Sequence, residues 1–385
     1  MSAPMAASEG GISRKLLLAV VIGLCLVVFA GVLLVQREPP AAGPSNGWIL
    51  FQAREDAERV GESSGSDIYA VAEGVVPRRV LGASGDATDQ TCPAFAPNGQ
   101  TLSYVDGGDL VIARLEGGGV VEESRFDRQL DPAGPCPRWS PDGTKVAFLV
   151  QGRTSLRILS FGVGPDRGNI VGPSVGAGQI ADFEWSPDNA TVGIAYPDQV
   201  LGVPLAGERL VRLITGVQPG IDVANLPTHD EFSSIAWSPV TGLLAISGSV
   251  RGPDDLLSEE AVGGEFVQIA NTEGRSLREL AATPIQGAGY DITWSPDGGT
   301  IAYVDIEAGL QLLARDGSMK VGGFTPIPAS GAVWSPDGKA LILLTPDPWR
   351  LVSVSVDPAE APVELVAGDG LGLTGPGQMT WQALR

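Results

Sequence analysis

Six stretches of the chain repeat one order of apolar and polar positions. Each opens on an aromatic anchor and runs ten residues without a gap: FAPNGQTLSY from Phe95, WSPDGTKVAF from Trp139, WSPDNATVGI from Trp185, WSPVTGLLAI from Trp237, WSPDGGTIAY from Trp294 and WSPDGKALIL from Trp334. Two residues ahead of an anchor stand Phe183, Ile235, Ile292, Ala332 and Met379, the last before a seventh anchor, Trp381. Strand side chains alternate with period 2, so anchor and predecessor share a face. In Ser-Pro-Asp-Gly, proline presets φ, aspartate tolerates the turn and glycine accepts positive φ. A second strand is predicted beyond it, with Leu102, Val146, Val192, Leu244, Ile301 and Leu341 seven residues after the anchors. Tyr104, Phe148, Ile194, Ile246, Tyr303 and Leu343 follow on the same face two residues later. A third strand such as Leu156–Ser160 or Gly309–Ala314 comes next, then a weaker fourth such as Leu210–Ile214.

Two hairpins per repeat, with anchors 40–57 residues apart, predict an all-β fold: a β-propeller of four-stranded antiparallel blades, each burying its faces against its neighbours. Trp381 begins a unit that has no second strand after it. Ile49 and Phe51, in turn, match the positions seven and nine after an anchor with no anchor before them. The two ends therefore complete one blade, and seven anchors predict seven blades over 48–385.

The repeat WSPDG followed by a small and an aromatic residue resembles the PD40, or TolB-like, propeller family. The resemblance covers Trp48–Arg385 and implies the propeller fold but no particular activity. The chain departs from TolB in lacking its preceding α/β domain.

Ahead of the repeats, Leu16–Val35 is an uncharged, mostly apolar run of 20 residues. At ~1.5 Å per residue a helix of that length spans the ~30 Å hydrocarbon core. It reads as an uncleaved transmembrane helix, with a signal peptide as the alternative. Arg14 and Lys15 precede it and only Arg37 closely follows. The positive-inside rule then keeps 1–15 cytoplasmic and places the rest outside the cell membrane. Residues 36–47 form a Pro/Gly linker entering the propeller at Trp48, which predicts that the face carrying the Ser-Pro-Asp turns lies toward the membrane.

Composition narrows the function classes. The formal charge of −20, from 25 basic and 45 acidic residues, argues against nucleic acid, whose phosphates demand clustered Lys and Arg. The single histidine, His229, and three cysteines offer no metal-ligand spacing and no cofactor motif. Gly61–Gly65 matches G-x-S-x-G around Ser63, but that elbow works only on a strand-to-helix turn with partners in a hydrolase domain. Cys92 and Cys136 both stand three residues before an anchor in adjacent repeats. In an oxidising compartment the pair reads as a disulfide; the other reading is two buried thiols on strands beyond the ~7 Å limit for a bridge.

Three polar insertions fall on connections of one face, the top: Gln52–Ser66, Val217–Ser234 and Arg251–Glu265. Together they hold −9 of the net charge. His229, Asp230 and Glu231 in the second, and Asp254, Asp255, Glu259 and Glu260 in the third, are the candidate binding residues. Below them Asp182, Ser234, Asp291 and Gln378, each three before an anchor, are expected to ring the top of the channel. Function concentrates on such loops over a rigid scaffold. The expectation is a binding or scaffolding module of the cell envelope, without enzymatic activity, that engages an envelope protein or small ligand. The alternative is a hydrolase or lyase acting on a glycan or peptide at the channel mouth.

Overall fold

The computed structural model describes most of 47–383. Residues 1–46, 57–64, 162–178, 216–228, 252–263, 272–277, 286–291 and 319–326, with some shorter stretches, lie outside the described residues. The described part belongs to one compact unit, Pro44–Arg385. Among the described residues the strands form seven antiparallel sheets. Sheet 1 comprises Met379–Trp381, Ile49–Glu55, Ser66–Ala72 and Val75–Leu81, with Leu373–Thr374 also pairing on Ile49–Glu55. Sheet 2 runs Gln90–Phe95, Thr101–Asp106, Asp109–Glu116, Gly119–Phe126; sheet 3 runs Arg138–Trp139, Lys145–Val150, Ser155–Ser160. Sheet 4 is Asp182–Trp185, Thr191–Tyr196, Gln199–Pro204, Val211–Thr215, and sheet 5 is His229–Trp237, Leu243–Arg251, Gly264–Asn271, Arg278–Ile285. Sheet 6 holds Thr293–Trp294, Thr300–Asp305, Gly309–Ala314, and sheet 7 holds Gly331–Trp334, Ala340–Thr345, Arg350–Ser355, Val363–Ala367.

The first strand of each sheet touches the first strand of the next, and sheet 7 returns to sheet 1. Hydrophobic clusters sit between sheets: Ala147, Leu156 and Ile158 of sheet 3 pack on Phe183, Trp185 and Ile194 of sheet 4. Equivalent clusters join every other neighbouring pair. Each sheet is apolar on both faces because both are covered, which is the physical content of a propeller-like arrangement. The chain ends close it: Ile49 lies opposite Trp381 and Phe51 opposite Met379. Gln382 locks this join, donating its N–H to the Trp48 carbonyl (2.8 Å) and accepting the Trp48 N–H on its side chain (3.0 Å).

The Ser-Pro-Asp turn works through its serine. Ser140, Ser186, Ser295 and Ser335 are buried and donate to the aspartate two residues on, at 2.5–2.7 Å. Each serine oxygen then accepts the N–H that starts the next strand, at 2.9 Å from Lys145, Thr191, Thr300 and Ala340. The Ser186 hydroxyl holds Asp188 below its usual carboxylate range, and the Ser335 hydroxyl does the same for Asp337.

Several details differ from the pattern-based reading. Sheets 3 and 6 have three strands among the described residues, and sheet 1 has five. The predicted loop beginning at Gln52 is strand through Glu55, paired with the strand that starts at Ser66. His229, Asp230 and Glu231 are likewise strand, opposite Arg251, Val250 and Ser249, rather than loop. The expected transmembrane helix 16–35 and linker, and so the orientation of the ring, lie outside the described residues. Among the described residues no helix is long and apolar enough to cross a membrane.

Candidate functional site

The anchor tryptophans tie each sheet to the one before it. Trp139 donates its indole N–H to the Ala94 carbonyl (3.2 Å), Trp185 to Arg138 (3.0 Å), Trp294 to Ala236 (3.1 Å) and Trp334 to Thr293 (3.3 Å). The acceptor is always the residue just before the preceding anchor. Trp237 departs, bonding Gly242 in its own turn.

The anchors are not equally covered. Trp185, Trp237, Trp294 and Trp334 are buried, whereas Phe95, Trp139 and Trp381 are only partly so. These three belong to the adjacent sheets 1, 2 and 3, and all line one cavity of about 310 Å³. Arg138 and Glu184 also line it. The site therefore combines three aromatic rings with one cation and one carboxylate, a small set of polar groups in an apolar concavity.

Arg138 is held by sheet 4 from several sides. It pairs with Asp182 at 2.9 Å, reaches the Glu184 carboxylate at 3.4 Å, donates to the Phe183 carbonyl, and lies 5.3 Å from the Phe183 ring centre. The other Asp182 oxygen accepts the Ile235 N–H (3.0 Å) and the Ser234 hydroxyl (3.2 Å) of sheet 5. Asp182 thus clasps three consecutive sheets. Glu184 accepts the Trp185 N–H at 2.8 Å and keeps 28% of its side chain exposed. Desolvation inside the ring holds Glu184 above the usual carboxylate range, with the Arg138 charge opposing it.

Cys92 and Cys136 form a disulfide with a Cα–Cα distance of 5.3 Å. The first strand of sheet 2 bulges between Thr91 and Ala94, and Cys92 takes a left-handed conformation with φ of +56°. A bulge re-aims side chains, and here Cys92 packs against the cluster between sheets 2 and 3 and bonds to Cys136, just ahead of the first strand of sheet 3. The bridge joins two of the sheets whose anchors are least covered.

Of the residues expected to ring the channel, the structure describes Asp182, Ser234 and Gln378. Asp182 and Ser234 come together and are buried, with Arg138, the Ser234 hydroxyl and the Ile235 N–H all on the Asp182 carboxylate. Gln378 is exposed, its carbonyl accepting the Gln52 N–H at 3.0 Å. Asp291, Asp254, Asp255, Glu259, Glu260 and Ser63 lie outside the described residues, as do the side chains of His229, Asp230 and Glu231. The cavity residues Arg138 and Glu184 were missed by the sequence reading. Their signal was their place: each directly precedes an anchor, where other repeats carry Ala94, Ala236, Thr293 and Val333. Among the described residues no three His, Cys, Asp or Glu side chains converge as a metal-ligand set.

No protein-family model and no curated protein matches the chain. Solved structures do. Hydrazine synthase from Kuenenia stuttgartiensis is 15% identical with a TM-score of 0.55, covering 75% of this chain and 89% of that one. TolB from Acinetobacter baumannii is 14% identical with a TM-score of 0.47, over 89% of this chain and 68% of that one. A eukaryotic initiation factor is 11% identical with a TM-score of 0.43, over 83% and 73%. The likeness to hydrazine synthase is one of fold, in keeping with the seven sheets that pack in sequence: the chain is an all-β protein of propeller-like architecture.

Proposed function

We propose that each of the seven sheets is one blade of a membrane-tethered, extracytoplasmic propeller of the TolB-like kind, and that it binds a protein or small ligand in the cell envelope. One observation carries the binding reading: Phe95, Trp139 and Trp381, buried elsewhere as equivalents, open onto a single cavity with Arg138 and Glu184. Uncovering three aromatic anchors forfeits packing, which a ligand seated on them recovers. The apolar run 16–35 and the disulfide, which belongs in an oxidising compartment, support export. The enzyme alternative draws on Glu184, whose raised pKa suits a general acid. Asp182, two residues away on the same strand face, is committed to Arg138, Ser234 and the Ile235 N–H rather than open as a second catalytic carboxylate, so binding is the better reading.

The test places a photo-crosslinking residue, p-benzoylphenylalanine, at Ala383 on the cavity rim of the full chain in its native cells. A control carries it at Val121, exposed on the outer strand of sheet 2. A discrete adduct from position 383, reduced by Trp139→Ala, is expected. Equal labelling from both positions would defeat the cavity reading, and protease protection of the propeller in intact spheroplasts would defeat the compartment.

A further inference from the structure

Trp349 stands outside the repeat, in the connection between the second and third strands of sheet 7. Its ring lines a slot of about 550 Å³ between sheets 7 and 1, together with Pro346, Pro348, Asp56 and Asp369. The slot opens on the same kind of connection as the acidic insertions, and Asp56 belongs to one of them. The indole is fixed in place: its N–H donates to the Leu373 carbonyl at 2.9 Å, and Phe51 packs against it at 6.1 Å between ring centres. Gly368 is required beneath it, since a Cβ there would come within 2.0 Å of the ring. Asp369 accepts the N–H of Gly370 at 2.8 Å. None of the described residues lining the slot is basic.

We propose that this slot binds a basic peptide segment of a partner protein by receiving an arginine or lysine side chain. The inference rests on the binding reading above and gives its partner a chemistry. An aromatic ring flanked by two prolines accepts an aliphatic stem, and the two carboxylates complement its charge. A cation over a tryptophan face gains attraction from the ring quadrupole, and a planar guanidinium stacks best. The chain's net charge of −20 draws such a segment to the surface, while the rigid Trp349 selects where it docks.

The full chain, solubilised in detergent, is titrated calorimetrically with an (Arg-Gly)₃ peptide and with its (Glu-Gly)₃ counterpart. Saturable binding of the arginine peptide is expected, weakened at least tenfold by Trp349→Leu and by the pair Asp56→Asn with Asp369→Asn. Trp349→Phe should retain most of the affinity while preserving the packing on Phe51. The control pair Asp357→Asn with Glu360→Gln removes the same charge from the exposed turn between the third and fourth strands of sheet 7, and should change the affinity less than twofold. Equal loss in both pairs would reduce the slot to diffuse charge and overturn the proposal. So would binding of phosphocholine vesicles without binding of the peptide. Trp349→Leu chains that still cross-link at position 383 but lose the peptide leave both readings standing. Peptide binding unaffected by Trp349→Leu refutes the slot alone, and uniform labelling at 383 and 121 refutes the cavity alone.

Discussion

Replacing Cys92 and Cys136 together by serine removes a cross-link between residues 44 apart in sequence. Closing a loop of that length costs the unfolded chain about 13 cal/mol/K, or ~4 kcal/mol at 25 °C, in the chain-entropy account. For a propeller of roughly 340 residues the unfolding entropy is ~0.7 kcal/mol/K, so the expected fall in Tm is roughly 5–6 °C. Release of the left-handed conformation at Cys92 offsets up to ~1 kcal/mol of this, since that conformation is unfavourable for a residue with a Cβ. A fall of about 4–6 °C by differential scanning calorimetry is therefore expected for the double variant. A reductant should move the native protein by the same amount and leave the double-serine chain where it is. A shift below 1 °C in both experiments, with the thiols of the reduced native chain shown free by mass mapping, would refute the stabilising role of the bridge between sheets 2 and 3.

Three further outcomes follow from the same geometry. Asp182→Ala leaves Arg138 and the Ile235 N–H without their main partner; it should cost about 2–4 kcal/mol by denaturant titration, less than the ~3–5 for a fully buried pair, because Arg138 is 30% exposed. Ser186→Ala and Ser335→Ala each strip a buried N–H and an aspartate of one bond, and should cost about 1–2 kcal/mol apiece in the same titration. Asp188 and Asp337 have folded pKa values below the unfolded value of about 3.9, so their contribution is intact above pH ~4 and is lost as pH falls through the folded values; the native Tm should drop on acidification below pH 4, and less so in the Ser186→Ala, Ser335→Ala chain.

What the sequence made legible was local. The alternation around Trp139, Trp185, Trp237, Trp294 and Trp334 shows strand, turn and strand because period-2 burial and Ser-Pro-Asp-Gly turn chemistry act within ten residues. The pairing of Ile49 with Trp381 could be read because each end held half of one pattern. Cys92 and Cys136 could be matched because the repeat puts them at equivalent places, although the bulge that brings them within reach had no signature. The inner strand of sheet 5 was harder: His229–Ser234 is polar throughout except Phe232, so the first six residues of a nine-residue strand looked like loop. The cavity was hidden for a different reason. Whether an anchor is covered depends on the shape of the next sheet, and nothing at Phe95 or Trp139 itself reports that. Arg138 meets Asp182 and Glu184 across a sheet boundary, a relation that spacing along one strand does not encode. Trp349 belongs to no repeat, and only the approach of sheet 1 gives it a second wall.

The closing join has a consequence for how the molecule comes into being. Trp48 and Gln382 are bonded at a separation of 334 residues, so Ile49–Glu55 waits for nearly the whole propeller to be synthesised before its inner neighbour exists. Contacts of such long range are slow to form, because loop closure precedes any gain from pairing. Sheets 2 to 7 can assemble in order as they emerge, each templated by the one before, while the partial ring keeps two raw edges. A nascent chain is thus adhesive at both ends for most of its synthesis, and a ribosome that stalls before Met379 releases an arc whose exposed strands are prone to aggregate.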